Sequence, residues 1–147
     1  MNKQLSIDKE NPNSMRSLDT NIVLRLLLQD NERQSKEVAD MIEAGGSNEF
    51  AVADVVIFEA VWVMQGRWYA LERPMIAKLL LRLARIDQIN CNRALIERAI
   101  PRFVEHTGVS FADICLATYA ELNSASPLLT YDKKLAQALP ELVQSVV

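Results

Sequence analysis

Apolar residues recur along this chain at strand spacing in short runs and at helix spacing between them. Arg16-Ser17-Leu18 predicts a short strand that ends at Asp19. From Asn21 to Leu28, the residues Ile22, Val23, Leu26 and Leu27 fall on or near one helical face. Asn31 with Gln34 resembles a capping box and opens a second helix, Glu32–Ala44, which Gly45-Gly46 stops. Glu49–Ala53 predicts a strand. Asp54 caps the next helix, which runs to about Trp68 and is apolar almost all round, so burial on most sides is expected. Trp62 is accordingly assigned to the core.

Pro74 opens a helix to Arg85 with the stripe Ile76, Leu79, Leu80 and Leu83. A weak strand or loop, Asp87–Cys91, leads to a helix from about Asn92 to His106. Pro101 inside it is expected to kink or split it. Ser110 with Asp113 starts another helix, to about Leu122. Leu128–Thr130 predicts a strand, Lys133–Leu139 a helix, and Leu142–Val147 a terminal strand. Short apolar strands alternating with helices imply an α/β fold with a parallel sheet. Residues 1–14 are polar and without periodicity, and predict a flexible extension before one domain spanning 15–147.

Composition narrows the classes. Half of the 147 residues are hydrophobic, which excludes intrinsic disorder. No uncharged apolar window approaches the ~18–20 residues of a membrane span. The N-terminus lacks the apolar core of a signal peptide, and Cys91 and Cys115 form no CxxC pattern. Reduced thiols in a cytoplasmic protein are expected. His106 is the sole histidine, so no His-pair zinc site exists, and no nucleophile elbow accompanies it.

The net charge of −3 argues at first against a nucleic-acid partner. It conceals segregation. Residues 66–102 hold 8 basic and 3 acidic side chains, net +5, between flanks of −5 and −3. An Arg-rich middle fits a phosphate backbone, or simply the solvated faces of amphipathic helices.

Four carboxylates stand out. Asp19 and Asp132 follow predicted strands, where open parallel α/β folds place their sites. Glu59 lies in VVIFEAVWVM and Asp113 in SFADICLATYA. Acids in such apolar contexts call for a compensating cation, and hard Mg²⁺ or Mn²⁺ prefers carboxylate oxygens. Each also has a plain structural reading: Asp19, Asp113 and Asp132 as helix caps, Glu59 as the partner of Arg67 or Arg82.

Four segments resemble, in order, the motifs of the PIN-domain ribonucleases, and within them the VapC-type toxins of bacterial toxin–antitoxin pairs. They are MRSLDTNIVLRLLLQD (15–30), ADVVIFEAVWVM (53–64), GVSFADICLATYA (108–120) and LLTYDKKLAQ (128–137). The resemblance implies a three-layer α/β/α sandwich around a mostly parallel sheet. It implies a Mg²⁺- or Mn²⁺-dependent endoribonuclease whose metal and catalytic residues are Asp19, Glu59, Asp113 and Asp132, supported by Thr20, Asn21 and Thr130. It also implies an RNA substrate, a cognate antitoxin and a homodimer. Arg67, Arg82 and Arg85 are candidates for holding RNA. A PIN nuclease of RNA processing, or a non-catalytic module on the same fold, are the alternatives. The fourteen residues before Met15 and Pro101 depart from the family pattern without touching a motif.

Overall fold

The computed structural model describes residues 14–147. The expected extension lies outside the described residues, apart from its last residue. The chain divides into two compact units, one running through Ala60 and including Leu83–Cys91, the other comprising Val61–Arg82 and Asn92–Val147.

The first unit is built on a parallel sheet of three short strands, β1 (Arg16–Ser17), β2 (Phe50–Ala51) and β3 (Ile89–Asn90), with β2 central. Register pairs Arg16 with Phe50 and Phe50 with Ile89. The ladder continues past the strand ends: Leu18 N–H donates to Ala51 O and Val52 N–H to Asn90 O, both at 2.9 Å. The strand expected at Glu49–Ala53 is therefore shorter than its apolar pattern. Helices α1 (Thr20–Leu28) and α2 (Glu32–Glu43) follow β1 and pack on each other. Asp19 and Asn31 cap them, accepting from Ile22 N–H and Gln34 N–H. The helix ends just before Gly45-Gly46 as expected, and Gly45 has a second role. The cap is Ala44, and a Cβ on Gly45 would stand 2.5 Å from the Phe50 ring. Phe50 can be buried there because position 45 has no side chain.

One polar group of this unit is out of place. Ser35 lies on the buried side of α2, and its hydroxyl has no hydrogen-bond partner among the described residues. An unmet buried hydroxyl costs on the order of 1–3 kcal/mol, and alanine is the better helix former. Ser35→Ala should therefore raise stability by about 1 kcal/mol, measured as a higher urea midpoint. A lower midpoint would show that the hydroxyl is satisfied.

Helices α3 (Asp54–Gln65) and α4 (Arg73–Ala84) each begin in one unit and end in the other. The second unit contains α5 (Arg93–Glu105), α6 (Phe111–Leu122), β4 (Leu128–Thr130), α7 (Lys133–Ala138) and β5 (Val143–Ser145). β4 and β5 pair in parallel, Leu128 with Val143 and Thr130 with Ser145. The parallel strands therefore occur as two hydrogen-bonded groups rather than the single sheet expected.

α5 and α6 form the most extensive helix contact. Phe103 meets Phe111 edge-on, with ring centroids 5.1 Å apart. Arg102 clamps the pair: Nη1 donates to Thr118 Oγ1 at 2.9 Å and Nη2 to both oxygens of Glu121. Arg98 adds a third bond to Glu121. Burial works to raise the Glu121 carboxyl, but the two guanidiniums outweigh it and hold it below the ordinary carboxylate range.

Pro101 does not split α5, which runs unbroken from Arg93 to Glu105. Pro101 is exposed, so the carbonyl deprived of its N–H donor is on the solvated side. Cys91 and Cys115 are not disulfide-bonded. Among the described residues, no helix is long and apolar enough to cross a membrane.

The largest departure from expectation is α3. It is not buried on most sides: Val55 is 67% exposed, Trp62 77%, and Glu59 is exposed between them. At 100° per residue, positions 55 and 62 fall within about 60° of Glu59. Glu59 marks the solvent face, and Val55 and Trp62 share it by spacing. The helix stops at Gln65, and Trp68, 89% exposed, lies in the turn beyond. The outer face of α2 differs from that of α3. Glu32, Arg33, Lys36, Glu37, Asp40 and Glu43 make its outer face charged.

Candidate active site

Each candidate acid is positioned by local hydrogen bonding. Asp19 stands two residues beyond β1, exposed, with Oδ1 accepting Ile22 N–H at 3.0 Å. Asp132 repeats the device two residues beyond β4. Its Oδ1 accepts Leu135 N–H at 3.1 Å, and its own N–H donates to Thr130 Oγ1 at 3.0 Å. Thr130 thereby fixes the backbone from which Asp132 projects. Each aspartate uses one oxygen as a cap, and the other oxygen remains for a ligand. Both stand at carboxyl ends of parallel strands, where α/β proteins place their sites.

Glu59 is held differently. Thr20, buried in the first turn of α1, donates its hydroxyl to Glu59 Oε2 at 3.0 Å. Asp19 and Thr20 are adjacent, so the first unit couples two of the four acid positions through one threonine. Glu59 makes no ion pair with Arg67 or Arg82. Nor is it buried, so the argument that burial forces a cation on it does not hold. Asp113 is half-buried in the first turn of α6. Only the forward half of the capping box forms there: Ser110 Oγ accepts Asp113 N–H at 3.1 Å, and the carboxylate is not consumed in return. Asn21 is exposed in the first turn of α1.

Asp19 and Glu59 belong to the first unit, Asp113 and Asp132 to the second. Among the described residues, no group of three or more His, Cys, Asp or Glu side chains is gathered closely enough to hold a metal ion. The donor chemistry nevertheless fits a hard divalent cation. All four groups are carboxylates, none is consumed in an ion pair, and magnesium and manganese favour such oxygens.

The Arg-rich middle segment is partly structural, which the charge count did not reveal. Arg98 and Arg102 hold Glu121. Arg73 donates Nη1 to Phe103 O at 2.9 Å and His106 O at 3.2 Å, and its guanidinium lies 4.3 Å from the Phe103 ring centroid. Burial lowers its pKa from the ordinary arginine value. Arg67, Arg82 and Arg85 are exposed and form no ion pair among the described residues. A phosphate backbone would find these three unspent.

Parallel strands followed by capped helices, with carboxylates at the strand ends, define an α/β protein. The family model of the PIN domain matches residues 17–138, and the chain belongs to that family. PIN domains are a metal-dependent nuclease fold. No curated protein matches the sequence.

Proposed function

We propose that this protein is a Mg²⁺- or Mn²⁺-dependent endoribonuclease acting as the toxin of a toxin–antitoxin pair in the cytoplasm. The observation that carries the nuclease reading is the paired placement of Asp19 and Asp132, each the capping residue just beyond a parallel strand. The toxin reading rests on the likeness of the four motif segments to VapC-type proteins.

Asp19, Asp113 and Asp132 would hold the ion, with Glu59 completing the set through water. When bound, the ion supplies Lewis acidity toward a phosphoryl oxygen and lowers the pKa of water. Glu59, fixed at Oε2 by Thr20, orients the attacking water. Arg67, Arg82 and Arg85 bind substrate phosphates as charge-assisted donors.

An antitoxin would neutralise the acidic groups most effectively by placing an arginine among them. A homodimer is the other partner this reading implies. Purified protein should cleave RNA internally with Mg²⁺ or Mn²⁺ and stop when EDTA is added. Its expression should arrest growth, and mapping of RNA ends after induction should reveal the target. Cleavage without growth arrest would assign the protein to RNA processing instead. Cleavage that persists in EDTA would contradict the metal reading.

A further inference from the structure

Asp113 is in the first turn of α6, so its place depends on the turn that joins α5 to α6. That turn, residues 106–110, has little packing on its outer side. Thr107, Gly108 and Ser110 are exposed, and a Cβ on Gly108 would meet open space. Its inner side is pinned. Val109 is buried, and its N–H donates to His106 O at 3.2 Å. Ser110 Oγ accepts the Asp113 N–H. Phe103 and Phe111, on either side of the turn, meet edge-on.

Arg73 holds two of these pins at once, and every residue involved belongs to the second unit. Its Nη1 donates to His106 O, the carbonyl that also closes the turn, and to Phe103 O. Its guanidinium lies over the ring of Phe103, the same ring that meets Phe111.

We propose that Arg73 is a positioning residue for Asp113. It fixes the C-terminal end of α5, and through His106 and Phe103 it fixes the turn from which α6 and the Asp113 carboxylate start. The proposal rests on the reading of Asp113 as a ligand of the divalent ion. It adds a residue outside the carboxylate set that determines how well that ligand is aimed. Ligands bind well only when the groups behind them lock their geometry to within about 0.5 Å. A planar guanidinium that donates to two carbonyls and covers a ring constrains the turn in more than one direction. An ammonium keeps the charge and loses that geometry.

The test compares Arg73→Lys with Glu121→Gln. Lysine preserves the positive charge, so a loss reports geometry rather than electrostatics. Glu121→Gln loosens the same helix pair at the other end of α6 and is the purely structural control. Mn²⁺ affinity is read by titration calorimetry. Amide hydrogen exchange of Val109 and Asp113 is read in metal-free protein. Arg73→Lys should weaken Mn²⁺ binding about fivefold and speed exchange at both amides. Glu121→Gln should lower the melting temperature and leave both readouts at wild-type values. In an Asp113→Asn background, Arg73→Lys should cost no further affinity, because the ligand it aims is gone. Wild-type Mn²⁺ affinity in Arg73→Lys overturns the proposal, and if Asp113→Asn alone still weakens binding, the metal reading survives it. An equal loss in Glu121→Gln, or an undiminished loss in the Asp113→Asn background, overturns it too. A wild-type protein that binds no Mn²⁺ would refute the metal reading and the ligand role with it. Faster exchange in Arg73→Lys would then still uphold the hold of Arg73 on the turn, and unchanged exchange would overturn that as well.

Discussion

Asp19→Asn should stop RNA cleavage while leaving the protein folded. The substitution separates the two roles of this residue. Asparagine is as good an N-cap as aspartate, so its Oδ1 continues to accept the Ile22 N–H, and α1 keeps its start. What disappears is the negative charge and one anionic oxygen. Losing a residue that only supports a metal ligand typically costs 10–100-fold, so losing a ligand should reduce cleavage at least about 100-fold. The melting temperature should stay within error of the wild type. Asp19→Ala would confound the two effects, because removing the cap itself costs about 1 kcal/mol. Cleavage by Asp19→Asn at the wild-type rate, measured on the same RNA with Mn²⁺, would remove Asp19 from the reaction.

Arg73→Ala should produce the largest loss of stability. Arg73 reaches the C-terminal end of α5, where carbonyls have no partner within the helix. It donates to Phe103 O and to His106 O, the latter shared with Val109 N–H, and covers the face of Phe103. Hydrogen bonds from a charged donor contribute about 1.5–3 kcal/mol, and a cation over a ring about 0.5–2. These are not additive, and a total loss of about 3 kcal/mol is expected, which lowers Tm by about 6–12 °C for a chain of this size. Arg73→Lys should fall between, because one ammonium cannot reproduce a planar guanidinium lying on the ring and donating to two carbonyls. A Tm drop below about 2 °C in Arg73→Ala, read by circular dichroism, would contradict this account.

What the sequence disclosed follows the range of the interactions involved. Asp19, Asn31, Ser110 and Asp132 were legible as helix starts because a cap bonds to a backbone N–H only three residues away. The four candidate acids stood out for a related reason, since strand ends and helix starts are local features. The burial of α3 was misread because an unbroken apolar run suggests a helix covered on all sides. The charged residue at 59, with Trp62 about 60° from it around the helix, already marked a solvent face.

Arg73 and Arg102 were not legible as structural residues. Arg73 acts on carbonyls thirty and thirty-three positions away, and Arg102 on side chains sixteen and nineteen away. Counting charge by segment assigned both to a basic surface. Pro101 was expected to kink or split its helix, and the helix is not split. Its local rule is sound, but its side faces solvent, where a lost backbone bond is replaced by water.

The central proposal is that Asp19, Glu59, Asp113 and Asp132 would serve one divalent ion. Titration calorimetry with Mn²⁺ tests it most directly, comparing the wild type with Asp19→Asn and Asp113→Asn, one from each compact unit. The account predicts Mn²⁺ binding by the wild type and a loss of at least about tenfold in affinity in both variants, with melting unchanged. Binding of wild-type strength in either variant, or no binding by the wild type at millimolar Mn²⁺, would contradict it.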